Sequence, residues 1–293
     1  MRRFGQFACI DWSGEAVARP RGLAVAVTQA ADRPPVLLRP GGGWSRQGIL
    51  DWLRAHAAAK SDLLIGVDFS PALPFVDRGA YLPGWREEIA DARSLWRLVD
   101  ETCTGDAFLG VGSFVAHEEA SPHFRRQVAG APLTGSAFPA GAGRLRQVES
   151  ACRAQGLGNA SSCFNLVGAA QVGKSSLTGM RVLHRLDGAV PVWPIDPIPV
   201  EGPVIVEIYT SLAARAAGLR HGLSKMRDAK SLAAALASFG LPSVALDRHD
   251  DHSTDALVTA AWLRRAAENS ALWSPAGLTP AIAATEGWTF GVA

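Results

Sequence analysis

The run Leu63-Leu64-Ile65-Gly66-Val67 has no polar side chain at any position and stops at a carboxylate, Asp68. A strand without polar alternation has to be covered on both faces, which points to an α/β fold with helices on either side of a sheet. Phe7-Ala8-Cys9-Ile10 runs into Asp11 in the same way, and Val204-Ile205-Val206 runs into Glu207. A fourth acid, Asp255, stands at the head of a helix-like stretch, Thr254-Asp255-Ala256-Leu257. A carboxylate in apolar surroundings is costly to bury unless it is paired or holds a metal. Four of them, drawn from distant parts of one chain, suggest one converging acidic site.

The remaining pattern places these acids in order. Residues 5–12, 22–29 and 35–39 read as a three-strand antiparallel meander separated by Gly/Pro/Arg turns. Ser45 is placed to cap a helix reaching Lys60, with Ile49, Leu50, Leu53 and Ala57 on one face. The buried strand 62–69 follows. From Pro71 to about Gly143 the chain holds one helix, expected over Trp85–Cys103, and a Gly/Ala/Pro/Ser-rich stretch. Basic and aromatic residues interleave there: His117, His123, Phe124, Arg125, Arg126, Arg144 and Arg146. A long irregular stretch inside a compact domain is usually functional or disordered. Helices are expected over 145–155, 176–186, 211–219, 227–239 and 254–268, and strands over 163–167, 190–194 and 204–209. No repeat or clear linker divides the chain, so residues 1–293 read as one domain with an insertion of roughly 71–200 after the fourth strand.

Composition removes several function classes. The chain is 48% hydrophobic, enough for a sizeable core, and the longest apolar run is too short for a membrane span. Arg2 and Arg3 precede an apolar stretch that meets Asp11 too early for a signal sequence. Cys9, Cys103, Cys152 and Cys163 form no close pair, which fits a reduced, cytoplasmic setting better than a disulfide framework. A net charge of +2 allows a phosphate-rich partner without demanding one.

Side chains alternate along a strand, so Asp11 shares a face with Cys9 and Phe7, and Asp68 with Gly66 and Leu64. Both acids end their runs, at the edge of an α/β sheet where ligand sites collect. Asp251 and Asp255, four apart, fit one face of the last helix. Hard divalent cations such as Mg²⁺ or Mn²⁺ prefer such oxygen donors. Ions held this way activate water and stabilise the leaving oxygen in phosphodiester cleavage. Zinc is less well served, since His249 and His252 flank Asp250 and Asp251 with no cysteine beside them. Each acid also has a structural reading. Asp11 and Asp68 suit turns, Asp251 an N-cap, Asp255 a first helical turn, and Glu207 a solvated face.

The order of IDWSG, two further strands, a helix, GVDFS, VEIYTS and DDHSTDALVTAA resembles an RNase H-like fold, a mixed sheet flanked by helices. More narrowly, it is similar to a family of predicted RNase H-fold nucleases known as domain of unknown function 429. The resemblance runs from Asp11 to the helix after Asp255. It implies metal ligands at Asp11, Asp68 and Asp255, with Glu207 or Asp251 adding to the site, and a nucleic-acid substrate.

One motif competes. Gly168-Ala169-Ala170-Gln171-Val172-Gly173-Lys174-Ser175 matches the phosphate-cradling pattern G-x-x-x-x-G-K-[ST] at every defined position. In that reading, an ATPase or kinase, Gly173 and Lys174 hold phosphates and Ser175 holds Mg²⁺. Only about 120 residues follow the motif, few for a full nucleotide-hydrolysing sheet. Lys225, Arg227 and Lys230 fit a phosphate backbone, or simply a solvated helix face. A non-catalytic binding protein on the same fold is the third expectation.

Overall fold

The computed structural model describes residues 2–141, 143–168, 171–219 and 225–293 of the chain. Strands β1 (Gln6–Asp11), β2 (Ala24–Gln29) and β3 (Val36–Leu38) form the expected meander. Helix α1 (Arg46–Ala58) follows, its first turn capped by Ser45 Oγ accepting from the Gly48 N–H. Strand β4 (Leu63–Val67) then lies parallel to β1. Helix α2 (Ala92–Thr102) starts later than the sequence suggests, because the Asp91 side chain caps it through the Ser94 N–H. Next come α3 (Gly112–Ala116), the hairpin β5 (Arg125–Val128) and β6 (Ala131–Thr134), α4 (Gln147–Ala154) and α5 (Val172–Arg185). The chain closes with β7 (Val192–Trp193), β8 (Val204–Glu207), α6 (Thr210–Ala216), α7 (Ala229–Ser238), α8 (Asp251–Ala266) and α9 (Pro280–Thr285).

Six strands make one mixed sheet in the order β3-β2-β1-β4-β8-β7, with β1, β4, β8 and β7 mutually parallel. β7, inside the stretch read as an insertion, extends this sheet beside β8. Residues 163–167, expected as a strand, make a single bridge between Asn165 and Arg125.

Both faces of the sheet are covered, as the apolar run at β4 requires. Ala8, Ile10, Leu63, Ile65, Val67 and Ile205 pack with α1, α2 and α5. Phe7, Cys9, Leu64, Val204 and Val206 pack on the other face with α6, α7 and α8. Helix α8 lies across β1 and β2 and is buried along most of its length. It opens three residues before the expected start because Asp250 caps it, accepting from the Ser253 N–H at 3.0 Å. Among the described residues, no helix is long and apolar enough to cross a membrane.

Candidate functional site

The parallel register of β1 and β4 pairs Ile10 with Val67 and leaves the next residues, Asp11 and Asp68, as neighbours beyond the pair. The Asp68 N–H continues the ladder by donating to the Ile10 carbonyl at 3.0 Å. Parity sends both side chains to the face covered by α8, the face on which Cys9 and Leu64 pack. Asp255, in the second turn of α8, comes down onto them, and the three carboxylates repel one another. Asp11, Asp68 and Asp255 therefore meet at the C-terminal edge of the sheet.

The cluster carries its own counter-charges. His252 Nδ1 lies 2.9 Å from Asp11 Oδ2, and the Lys225 ammonium donates to Asp255. Thr210 Oγ1 donates to Asp68 Oδ2 at 3.4 Å. Asp251 sits at the rim, paired with Arg227 at 3.2 Å. Burial raises the Asp11 carboxyl above its usual range, against the pull of His252 and Lys225. Asp68 is raised well above that range by burial and then by repulsion from Asp11 and Asp255. Burial pushes Asp255 up to about 6 although Lys225 opposes it. Lys225 itself is raised, since the attraction of Asp255 and its neighbours outweighs burial. The His252 imidazole is raised mainly by its hydrogen bond with Asp11.

Cationic groups already lie against two of the three carboxylates, the Lys225 ammonium against Asp255 and His252 Nδ1 against Asp11. Among the described residues, no three His, Cys, Asp or Glu side chains are placed to close around one ion. His252 and Lys225 hold Asp11 and Asp255 in this arrangement.

Glu207 is not brought to this group. It pairs in register with Val67 and shares the parity of Ile205, so it points to the opposite face of the sheet. There Arg146, fully buried, binds Glu207 Oε1 and Oε2 at 2.6 and 2.9 Å, and Glu149 Oε1 at 2.6 Å. Ser70 Oγ and the Glu286 carbonyl accept from the same guanidinium. Glu207 thus belongs to a buried ionic network that joins β8 to α4.

The phosphate-loop pattern has a packing role that is directly visible. Gly173, Lys174 and Ser175 form the first turn of α5, and Ala169 and Ala170 lie outside the described residues. A Cβ on Gly173 would fall 2.1 Å from the Cys163 carbonyl oxygen, so the glycine admits close packing against the preceding segment. A Cβ on Gly14 would fall 2.5 Å from the backbone of Lys174 and Ser175, which seats this turn beside the loop after Asp11. Lys174 is exposed, as is Lys230 in the first turn of α7. Trp12, placed next to Asp11 in sequence, is buried against Phe69 and donates to Thr178 Oγ1 at 3.0 Å.

Sequence reasoning missed Thr210 and the His252–Asp11 contact. The second was within reach: His252 and Asp255 are three apart on one helix and so share a face. Compared with protein-family models, with curated proteins and with solved structures, the chain matches none.

Proposed function

We propose that this chain is a divalent-metal-dependent nuclease of RNase H-like fold that hydrolyses phosphodiester bonds of nucleic acid with water as nucleophile. The observation that carries the reading is the meeting of Asp11, Asp68 and Asp255 on one face at the sheet edge. Support for the fold assignment comes from the element order, a meander, a helix, parallel strands and then the long helix α8 bearing Asp255. Asp11, Asp68 and Asp255 would hold Mg²⁺ or Mn²⁺, with Asp251 at the rim. The ion would supply water activation and charge stabilisation at the leaving oxygen. Of the chain's own groups, Thr210 orients Asp68, and Lys225 and His252 keep their partners oriented. Lys174 and Ser175, beside the loop after Asp11, and Lys225 would contact the phosphates.

The test is cleavage of DNA, RNA and hybrid substrates in Mg²⁺ or Mn²⁺, with Asp11→Asn and Asp255→Asn as controls. Metal-dependent cleavage abolished by either substitution is expected; cleavage undiminished by both rejects the site. A second reading, a non-catalytic binding protein on this fold, is favoured by one observation: Lys225, His252 and Arg227 already pair with three of the acids. Nucleic acid bound by a chain whose melting temperature Mn²⁺ leaves unchanged would select it. The nucleotide-hydrolase reading has less support, because residues 163–167 pair through a single bridge rather than as a strand of the main sheet.

A further inference from the structure

A cavity of about 490 Å³ opens at the N-terminus of α1, lined by Arg19, Arg46, Gln47, Asp106, Phe108 and Arg185 among others. It lies on the face of the sheet opposite the acidic cluster, where α1 and α5 pack. Its size falls within the roughly 300–1,000 Å³ of small-molecule sites.

Three guanidiniums border it against one carboxylate, and that carboxylate is engaged: both Asp106 oxygens accept from Ser113. Arg46 is buried, yet its described partners are all neutral carbonyls. Its side chain donates to Ser13 at 2.8 Å, Glu15 at 2.6 Å and Phe108 at 2.8 Å. A buried cation with no anion against it is an expensive arrangement. Burial lowers its pKa to about 10, partly offset by the Glu15 charge. Arg185 shares Asp100 with Arg181, so two cations divide one carboxylate. The lining therefore carries more positive than negative charge, Arg19, Arg46 and Arg185 against Asp106.

Phe108 supplies a different kind of group. The residue lines the cavity and is 54% exposed, and it is held at φ 57°, ψ 31°, followed by Leu109 at φ 54°. Two consecutive non-glycine residues in the left-handed region are a strained arrangement, the sort that clusters at ligand sites. The Arg46 bond to the Phe108 carbonyl ties this strained turn to the cationic wall.

We propose that this cavity binds a nucleoside 5′-monophosphate, with the phosphate against Arg185 and Arg19, the buried Arg46 adding positive charge behind them, and the base stacked on the Phe108 ring. Guanidiniums match a phosphate monoester in charge and geometry. An exposed aromatic residue at the cavity wall offers a base the stacking face that nucleic-acid-binding aromatics provide. Gln47 and Thr104 line the same space as polar partners for the sugar. The inference does not rest on the nuclease reading: the site shares no residue with the acidic cluster and needs no metal.

The experiment is isothermal titration calorimetry of the full chain in EDTA with 5′-AMP, GMP, CMP and UMP, with adenosine and inorganic phosphate as partial ligands. Binding of at least one nucleotide is expected, with both partial ligands weaker by about tenfold or more, the loss expected when one charge-assisted or stacking contact is removed. Arg185→Gln and Phe108→Gly should each weaken the nucleotide by a similar factor. Neither is a buried clamp, and glycine suits the left-handed backbone at position 108. Absence of nucleotide binding at millimolar concentration by the wild type overturns the proposal. So does binding that neither substitution changes. Inorganic phosphate that binds as tightly as the nucleotide, with Phe108→Gly neutral, also overturns it.

Discussion

Replacing Asp255 with asparagine should make the protein more stable at neutral pH while removing its proposed activity. The side chain is 6% exposed, and its carboxyl is pushed up from 3.8 to about 6, first by burial. At about 1.4 kcal/mol per unit, ionising it in the folded state costs roughly 3 kcal/mol. Asparagine keeps the shape and an acceptor oxygen for Lys225 without carrying the charge. The unpaired ammonium is not stranded, because the Lys225 side chain is 45% exposed. Because the folded-state pKa is raised, the wild type holds its full stability below the unfolded value of 3.8 and loses it as pH rises to about 6. The variant lacks this loss. Its advantage should be near zero at about pH 3.5 and reach a ceiling of about 3 kcal/mol above about pH 7. Each kcal/mol corresponds to about 2–4 °C in larger domains, so melting curves across this range read the effect as several degrees. A variant less stable than wild type at neutral pH, or a difference that does not change with pH, refutes the claim that this carboxylate is held against its preference.

Arg146→Met removes the cation that binds both Glu149 and Glu207 in a buried network. Loss of one partner from a buried ion pair costs about 3–5 kcal/mol, read as a lower urea midpoint. Adding Glu149→Gln and Glu207→Gln to it should restore much of the loss. Gly173→Ala places a Cβ 2.1 Å from the Cys163 carbonyl oxygen and 2.5 Å from Leu166 Cδ2. It should cost about 1–3 kcal/mol of stability through overpacking; a neutral result would reopen a phosphate-binding role for this glycine.

Buried runs and helix caps made much of the fold legible. Leu63–Val67 reads as a two-sided strand because every side chain on it is apolar, and it is one. Ser45 reads as a cap because its hydroxyl serves an N–H three residues away. Asp11 and Asp68 could be placed on one face from strand parity and the expectation of parallel neighbours, which the register bears out. Glu207 was expected beside them and lies across the sheet. Its run ends in an acid like the others, but the register pairs it with Val67 and not with Asp68. One residue of offset reverses the face.

The partners of these acids show where sequence stops being informative. Lys225 reaches Asp255 across 30 residues, His252 reaches Asp11 across 241, and Arg146 reaches Glu207 across 61. No local pattern encodes such pairings, because each depends on how α8, α4 and the segment before α7 are laid on the sheet. By itself the sequence determined the kinds of element, their order and the acids at their ends, since these follow from hydrophobic period and short-range hydrogen bonding. The tertiary structure alone decided which acids share a face, which cations hold them and where a cation-lined cavity opens. Those outcomes turn on register and long-range packing.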